Sequence, residues 1–211
     1  MDKEALRAAE SFVENMTGAD GAWVQAYVAE IEENRRFHNS LDENRNTVGR
    51  EQRASWGMAI GATLGTVVYV LCRRQEPNIA VETGVASGMS SSHILCALEE
   101  SGHGQLYSVD LPRPQNMGNR GRRFMGGNTL PVVAGEGQSG WIIPNYLRSR
   151  WKLVLGRSSE KLAPLLEEVG EIDVFLHDSE HSYGNMTWEF QSAWEHLKPG
   201  GLLLSHNIDL N

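Results

Sequence analysis

Five short apolar runs, each five or six residues long, follow one another through the second part of the chain. They comprise residues 79–83, 105–110, 151–156, 172–177 and 201–206. Segments with helical periodicity lie between most of them, at 89–100, 159–169 and 184–197. Most of the runs are continuously apolar, which is typical of strands buried on both faces. The alternation predicts an α/β fold: a doubly wound, Rossmann-like, mainly parallel sheet with helices on both sides.

The first 77 residues have a different pattern and are predicted to form an N-terminal helical extension. Residues 2–16 and 22–37 have the spacing of two amphipathic helices, and the polar stretch 33–53 is expected to be partly a loop. We expect this extension to serve as a lid or in oligomerisation, with the core in residues 78–211. A doubly wound sheet often continues past its fifth strand, so either the fold is short or the natural protein is longer.

An uncharged stretch at 54–72 precedes the first apolar run and raises the possibility of a membrane-spanning helix. Gly57, Gly61 and Gly65 recur at every fourth residue, as in membrane helix-packing motifs. The glycines and hydroxyl residues make the stretch only weakly hydrophobic, and it leads directly into the strand at 78. We therefore predict a helix over 54–74 that is buried in the protein or at a dimer contact, with a membrane span as the alternative.

Composition excludes several classes of protein. The net charge of −8 argues against a nucleic-acid partner, because such proteins usually carry a basic face. Two cysteines, Cys72 and Cys96, form neither a disulfide framework nor a zinc motif, and a cytoplasmic location is the default expectation. The charged, helical N-terminus does not resemble a signal peptide.

The turn after the first strand is rich in glycine and small residues. In "VETGVASGMSSS", Glu82, Gly84, Ala86 and Gly88 fall at every second position. Glycine lets a backbone approach a ligand closely, and ligands of open parallel sheets bind at the carboxyl ends of the strands. Asp110 ends the second strand, where a carboxylate can accept hydrogen bonds from ribose hydroxyls. A tight turn without a ligand is the alternative.

The ordered set "VETGVASGMSSS", "LYSVD", "LGRSSEKL", "FLHDSEHSY" and "LKPGGLLLSHNI" resembles the class I S-adenosylmethionine-dependent methyltransferases. The likeness is greatest to the small-molecule O-methyltransferases of the catechol and macrocin types. It extends from about residue 78 to the end of the chain. The resemblance implies S-adenosylmethionine as cofactor and O-methyl transfer to a small molecule, on a sugar or natural-product scaffold.

The resemblance also implies a role for each matching position. Gly84 and Gly88 would line the methionine part of the cofactor, Ser90 would lie near its carboxylate, and Glu82 near its amino group. Asp110 would hold the ribose, and Ser158 and Ser159 would meet the adenine, unless one of these serines only caps the following helix. Asp178 would lie beside the cofactor.

Polar residues follow the fourth and fifth strands, whose ends are adjacent in a doubly wound sheet. We expect Asp178, His181, His206 and Asn207 to meet in one pocket. Asp178, His206 and Asn207 could bind a divalent metal, Mg²⁺ or Mn²⁺, although the related enzymes usually have an acid where His206 stands. His181 matches the catalytic base of the sugar O-methyltransferases and can accept a hydroxyl proton, together with Asp178 as the second catalytic residue.

Alternatives remain at this point. Asp178 could bond only the cofactor, His206 could be a satisfied buried histidine, and His177 is expected to be structural. Tyr183, Trp188 and Trp141 could line an acceptor pocket, and the arginines of the glycine-rich segment 111–140 could meet an anionic acceptor, at Arg120, Arg122 and Arg123. The competing functions are a nucleotide-dependent oxidoreductase, which lacks its G-x-G-x-x-G motif here, and a cofactor-binding module without catalysis.

Overall fold

The protein is built around a five-stranded sheet in which every paired strand is parallel. The computed structural model describes residues 3–18, 21–47, 62–111 and 139–206. The strand order is β3-β2-β1-β4-β5. The strands are β1 (Ile79–Thr83), β2 (Gln105–Asp110), β3 (Trp151–Leu155), β4 (Ile172–His177) and β5 (Leu197–Ser205). The predicted doubly wound parallel sheet is confirmed.

Helices cover both faces of the sheet, and four of those described precede its first strand in the chain. They are α1 (Lys3–Thr17), α2 (Gly21–Glu33), α3 (Arg35–Thr47), α4 (Ala62–Gln75), α5 (Met89–Ser101), α6 (Ser158–Val169) and α7 (Tyr183–Trp194), with a 3₁₀ helix at Asn145–Arg150. One face of the sheet packs with α1 to α5 in a single apolar core. The other face packs with α6 and α7.

The chain reverses its direction of travel across the sheet between β1 and β4. It moves outward from β1 through β2 to β3, and then crosses back to β4 and β5. In open α/β sheets this switch point opens a crevice at the carboxyl ends of the strands, where ligands bind. The segments that follow Thr83, Asp110, His177 and Ser205 therefore determine the chemistry of the fold.

The polar stretch 33–53, expected to be partly a loop, is helical over α3. Asn34 interrupts the predicted second helix, and its Oδ1 accepts a hydrogen bond from the Phe37 backbone N–H at 3.0 Å. Phe37 and Leu41, four residues apart, are both buried in the core. A capping asparagine and one apolar stripe are enough to continue a helix through an otherwise polar sequence.

The start of the fifth strand also differs from the prediction. The helix expected over 184–197 ends at Trp194, and β5 begins at Leu197 rather than at 201. Leu197 pairs with Ile172 and Leu202 pairs with Val174, so β5 carries extra residues that bulge out between these pairs. Gly200, with φ +82°, supplies the left-handed backbone that this irregularity requires.

The middle of the described part of the glycine-striped helix is buried, as predicted. Residues 65–72 of α4 are all buried. A Cβ atom at Gly65 would lie 2.6 Å from the His93 ring, so this glycine permits close packing against α5. Residues 54–61, with Gly57 and Gly61, lie outside the described part of the chain. Among the described residues, no helix is long and apolar enough to cross a membrane.

Candidate active site at the carboxyl edge of the sheet

The glycines of the turn after β1 bring segments of the protein itself into close approach. Gly84 has φ +85°, and a Cβ atom there would lie 2.1 Å from the Asp178 carbonyl oxygen. Gly88 has φ +92°, and its Cβ would lie 2.7 Å from the Cα of Gly140. The turn is therefore fixed against the end of β4 on one side and the segment before β3 on the other. Contact of these glycines with a cofactor stays a prediction.

Two further residues of this turn stand out: Ala86, already noted in the sequence as one of its small residues, and Ser87, which was not singled out from the sequence. Ala86 has a left-handed backbone, with φ +48°, which is strained for a residue with a side chain. Ser87 is buried, and its hydroxyl has no hydrogen-bond partner. The turn is held from outside, because Ala86 O accepts from Gly140 N at 2.9 Å and Ser87 O accepts from Ile142 N at 3.1 Å.

Glu82 is fully buried beneath the turn and accepts hydrogen bonds from three serines. The hydroxyl of Ser90 donates to Oε2 at 3.1 Å, Ser108 donates to Oε1 at 2.7 Å, and Ser91 donates to Oε1 as well. Burial raises the pKa of Glu82 to about 7, although the serine hydrogen bonds oppose the rise. Glu82 and Ser90 thus bond to each other, and their predicted contacts with the cofactor remain untested.

Asp110 lies at the carboxyl end of β2, one strand away from the glycine turn. Its Oδ1 accepts from the Val85 backbone N–H at 3.1 Å, and its Oδ2 accepts from the Ser139 hydroxyl. The carboxylate is therefore oriented by two contacts, while its side chain is only half-buried. Each carboxylate oxygen can accept a second hydrogen bond, so the group keeps acceptor capacity for a ligand.

The serine pair after β3 does not cap its helix. Ser158 is the first residue of α6, and Arg157 occupies the N-cap position with no side-chain cap. The capping alternative is therefore wrong, because the chain turns helical one residue earlier than a serine cap requires. The Ser158 hydroxyl lies 3.5 Å from Asn185 Oδ1, and Ser159 is exposed. A role for either serine at the adenine stays a prediction.

Three of the four polar residues expected in one pocket meet at the ends of β4 and β5. His206 Nδ1 lies 2.8 Å from Asp178 Oδ1, and His181 Nε2 lies 3.7 Å from the same oxygen. The pairing of β4 with β5 sets this arrangement, since the backbone N–H of His206 donates to His177 O at 3.0 Å. Asn207 lies outside the described residues.

The same three side chains could hold a metal ion. One ligand atom from each of Asp178, His181 and His206 lies within 4.8 Å of the others. A carboxylate with two imidazoles suits Mn²⁺, Fe²⁺ or Zn²⁺ better than Mg²⁺, which prefers oxygen ligands. Among the described residues, His181 and not Asn207 completes the candidate ligand set.

His181 is mostly removed from solvent, with 15% of its side chain exposed. Burial lowers its pKa, the Asp178 carboxylate opposes the shift, and the neighbouring His177 and His206 imidazoles lower it further. The imidazole is therefore neutral near pH 7. Its ring packs edge-on against the His177 ring, with the centroids 5.2 Å apart.

A second buried carboxylate, Glu189 of α7, lies beneath this cluster. It accepts hydrogen bonds from Ser179 Oγ at 2.7 Å, from Asn185 Nδ2 at 2.9 Å and from the Thr83 hydroxyl. His177 Nδ1 lies 2.7 Å from its Oε2, and both side chains are fully buried. Burial raises the pKa of Glu189, but these hydrogen bonds outweigh burial and hold the pKa below its usual value.

His177 is thus structural in the sense expected, since its side chain is fully buried. Glu189 was not identified from the sequence, and the only signal it offered was an acid in α7 one turn before the buried Ala193. Trp141 and Trp188 are partly buried and pack against the two apolar cores, and Tyr183 is 80% exposed. The arginines of the segment after β2 lie outside the described residues.

In comparisons with known proteins, the chain matches one protein family and several solved structures that share one fold. The family model of a methyltransferase domain matches residues 81–208. No curated protein is significantly similar to the chain in sequence. An O-methyltransferase of Bacillus cereus, solved in complex with S-adenosylhomocysteine, is 14% identical with a TM-score of 0.54, over 85% of this chain and 70% of that one.

Two further solved structures have the same fold. An O-methyltransferase of Streptomyces achromogenes, involved in tomaymycin synthesis and solved with S-adenosylmethionine, is 16% identical over 82% of this chain and 65% of that one, with a TM-score of 0.54. A methyltransferase of Podospora anserina, bound to S-adenosylhomocysteine, is 12% identical over 98% of this chain and 71% of that one, with a TM-score of 0.54. The chain therefore belongs to the methyltransferase-domain family and has the fold of the class I S-adenosylmethionine-dependent methyltransferases.

Proposed function

We propose that the protein transfers a methyl group from S-adenosylmethionine to a hydroxyl of a small molecule. The observation that carries this proposal is the cluster of Asp178, His181 and His206 at the carboxyl ends of β4 and β5. Gly84 packs directly against the Asp178 backbone, so the glycine turn and the cluster are neighbours. Family membership decides against the nucleotide-dependent oxidoreductase considered from the sequence.

The residues around the turn fit the proposed cofactor. Asp110 presents an oriented carboxylate for the ribose hydroxyls, and Ser87 offers a buried hydroxyl without a partner in the turn itself. Buried polar atoms without partners are rare in folded proteins, and one in this turn is a candidate ligand contact. Solved proteins of the same fold contain S-adenosylmethionine or S-adenosylhomocysteine, which supports the same cofactor here.

In the proposed reaction His181 acts as general base. When bound, S-adenosylmethionine supplies a methyl group on a sulfonium, whose bonding electrons stay on sulfur as the oxygen–methyl bond forms. The neutral His181 imidazole accepts the proton that the acceptor hydroxyl loses in this step. Asp178 faces His181 Nε2 at 3.7 Å, so its carboxylate stabilises the imidazolium that results.

The acceptor class is proposed at the level of sugars and natural products. The resemblance to the macrocin-type sugar O-methyltransferases supports it, and so does the fold shared with an enzyme involved in tomaymycin synthesis. His206 takes part through Asp178, because its hydrogen bond to Oδ1 orients the carboxylate that His181 faces. A cofactor-binding module without catalysis would have no need for this arrangement.

A metal-assisted form of the same reaction uses the same cluster. Asp178 and His206 would hold the ion, with Asn207 or His181 as a further ligand, and the ion would lower the pKa of the acceptor hydroxyl. His181 cannot be both ligand and base through the same Nε2 atom. The two imidazoles of the described cluster favour Mn²⁺ over Mg²⁺.

Substitution of His181 tests the proposed function. We expect His181→Ala to lower kcat by about 10²–10⁴-fold, the usual cost of losing a general base, and to leave S-adenosylmethionine affinity unchanged. The assay measures S-adenosylhomocysteine release with a panel of sugar and phenol acceptors, beside calorimetry for cofactor binding. His103→Ala is the matched control, because His103 is an exposed histidine at the opposite edge of the sheet. Wild-type binding of the cofactor without turnover of any hydroxyl acceptor would contradict the proposal.

Chelation distinguishes the two forms of the reaction. If Asp178 and His206 hold an ion, excess chelator should abolish turnover, and Mn²⁺ should restore it more fully than Mg²⁺. If His181 alone activates the hydroxyl, turnover persists in chelator and elemental analysis finds no metal. A loss of less than about fivefold in His181→Ala, together with full sensitivity to chelator, would assign the activation to the metal.

A further inference from the structure

Segment 139–143, just before the 3₁₀ helix, holds the shape of the glycine turn. The Gly140 backbone N–H donates to Ala86 O at 2.9 Å, and the Ile142 N–H donates to Ser87 O at 3.1 Å. The φ of +48° at Ala86 is strained, and a strained backbone persists only where the surrounding structure holds it. These two hydrogen bonds are therefore part of what keeps the turn in this conformation.

The same segment also contacts the carboxylate at the end of β2. The Ser139 hydroxyl donates to Asp110 Oδ2, beside the Val85 N–H that donates to Oδ1. Segment 139–143 thus contacts both parts of the candidate cofactor site, which are the glycine turn and the proposed ribose contact. The position of this segment therefore affects the shape of the whole site.

Helix α3 of the N-terminal extension holds the segment from its other side. Asn44 Nδ2 donates to Ile142 O at 3.0 Å and to Ile143 O at 3.2 Å. Both partners are carbonyl oxygens, which only accept, so the amide nitrogen and not the amide oxygen must face them. Ile142 is consequently bonded at both of its backbone groups, to Asn44 through its carbonyl and to Ser87 through its N–H.

The helix that carries Asn44 is itself fixed to the core. Phe37 and Leu41 of α3 are buried, and the Phe37 ring packs edge-on against the ring of His93 in α5, with the centroids 5.1 Å apart. The Arg36 guanidinium lies 3.7 Å from the centre of the Tyr146 ring, in the 3₁₀ helix. Helix α3 is thus anchored both to α5, which begins where the glycine turn ends, and to the element that follows segment 139–143.

We propose that Asn44 is a positioning residue for cofactor binding, which acts by holding segment 139–143 against the glycine turn and Asp110. The inference rests on the proposed function, in which S-adenosylmethionine binds at this turn. Asn44 touches none of the groups assigned to the chemistry, so its effect falls on cofactor affinity and not on the methyl-transfer step. Helix α3 then supports the site from behind, a role beside the lid or oligomerisation expected of the extension.

Two substitutions of Asn44 test the proposal by calorimetry with S-adenosylhomocysteine. Asn44→Leu removes both donors at a similar side-chain size, and we expect the Kd to rise roughly 3–20-fold, a part of what two hydrogen bonds contribute. Asn44→Asp keeps the shape but sets a carboxylate oxygen against two carbonyl oxygens, so it should weaken binding more than Asn44→Leu. With an acceptor that the wild type methylates, the KM for S-adenosylmethionine should rise and kcat at saturation should stay within about twofold.

Hydrogen exchange of backbone amides separates this positioning role from a merely structural one. In the ¹⁵N-labelled full chain without cofactor, both Asn44 variants should exchange the Gly140 and Ile142 amides faster than the wild type does. The Gly170 amide, which donates to Leu166 O on the other side of the sheet, should exchange as before. In the wild type, S-adenosylhomocysteine should slow exchange at Gly140 and Ile142, because the coupling between two sites is reciprocal.

Glu43→Gln is the matched control, because Glu43 is an exposed residue of the same helix, and it should leave affinity and exchange unchanged. Three results overturn the inference: unchanged affinity in both folded Asn44 variants, exchange accelerated as much at Gly170 as at Gly140, or no slowing in the wild type when the ligand binds. The wild-type measurement decides if neither variant folds. A wild-type chain that binds no S-adenosylhomocysteine contradicts the proposed function itself, whereas wild-type binding with unaffected variants contradicts the inference alone.

Discussion

Glu82 and Glu189 are two fully buried acids in neighbouring parts of the same sheet edge, and their pKa values shift in opposite directions. Burial raises the pKa of Glu82 to about 7. At Glu189 burial acts in the same sense, but the pKa is lowered overall by the side chains that donate to it. A buried glutamate carboxyl thus has a raised pKa in the region of the β1 turn and a lowered pKa in the region of β4 and α7.

The difference lies in the donors. Glu82 accepts only from neutral hydroxyls, those of Ser90, Ser91 and Ser108. Glu189 accepts from an imidazole and an amide in addition to hydroxyls. A larger set of polarised donors stabilises the charged form of a buried carboxylate, whereas a few hydroxyls do not offset its desolvation.

The two regions also differ in what they leave unpaired. Around Glu82, the hydroxyls of Ser90, Ser91 and Ser108 all donate to its carboxylate. Among the described residues of the β1 turn, the buried Ser87 hydroxyl has no partner. The Glu189 region leaves two ring nitrogens, next to a carboxylate that is partly exposed. The serine hydrogen bonds to Glu82 stabilise the shape of the turn, so we assign a scaffolding role to Glu82. The unpaired ring nitrogens on the β4 side remain available for chemistry, so we assign the reactive groups to that side.

Gly84 is the point where the two regions touch, and its substitution should have the largest effect on stability. Gly84→Ala would add a Cβ atom 2.1 Å from the Asp178 carbonyl oxygen at a backbone φ of +85°. We expect a loss of roughly 2–5 kcal/mol in the free energy of unfolding, from left-handed strain and overpacking together. Denaturant unfolding measures it.

Gly102→Ala provides the matched control for this prediction. Gly102 has φ +77°, and a Cβ atom added there would meet nothing within 4 Å, so only the left-handed strain of about 1–2 kcal/mol should appear. Equal losses in the two variants would show that the glycine turn does not press against the Asp178 backbone, and the two regions would then be independent.

The opposite pKa shifts predict opposite pH dependences of stability. For Glu82 the folded-state pKa of about 7 exceeds the ordinary value of 4.5, so the folded state binds the proton more tightly. The stability that this proton confers is complete below pH 4.5 and is lost as pH rises to about 7, a change of about 3 kcal/mol. We expect Glu82→Gln to remove this loss from melting curves recorded across that range.

Glu189 should show the reverse dependence. Its folded-state pKa lies below the ordinary carboxyl value, so its stabilising contribution is present above that value and is lost as the pH falls through the folded-state pKa. Glu189→Gln should flatten stability on the acid side and leave the range between pH 4.5 and 7 unchanged. Identical pH profiles for Glu82→Gln and Glu189→Gln would remove the contrast between the regions.

The fold could be predicted from the sequence because each strand corresponds to a short apolar run that can be recognised locally. Four of the five apolar runs coincide with strands to within one residue, and the alternation with helices fixes the class. The meeting of Asp178 with His206 follows from the same logic, since the ends of adjacent parallel strands lie together. Helix α3 was missed because the evidence for it, the burial of Phe37 and Leu41, is a tertiary contact.

The contacts that complete the site could not be predicted, because they join distant parts of the chain. Ser139 reaches Asp110 from 29 residues away, and Thr83 reaches Glu189 from 106 residues away. Serine and threonine are common in every region of a sequence, so neither position carries a signal of its own. Only the packing of α7 and of the segment before β3 against the sheet identifies their partners.

The smallest predicted effect tests whether the β1 side, assigned here to scaffolding, also binds the cofactor. Asp110→Ala should weaken binding of S-adenosylhomocysteine by about 1–3 kcal/mol, because the ribose hydroxyls would lose a charged acceptor. Ser139→Ala removes only one of the two contacts that orient this carboxylate, and Val85 N still holds Oδ1 at 3.1 Å. We therefore expect Ser139→Ala to cost less than Asp110→Ala, about 0.5–1.5 kcal/mol.

Calorimetry on both variants at one pH and salt concentration separates the possible outcomes. A large loss in Asp110→Ala with a smaller loss in Ser139→Ala would mean that the carboxylate contacts the ligand and the serine orients it. Unchanged affinity in Asp110→Ala would remove Asp110 from the cofactor site and leave its hydrogen bonds from Val85 and Ser139 as scaffold only. Equal losses would instead show that Ser139→Ala also disturbs the packing of Ser139 and Gly140 against the turn, where Gly140 N donates to Ala86 O at 2.9 Å.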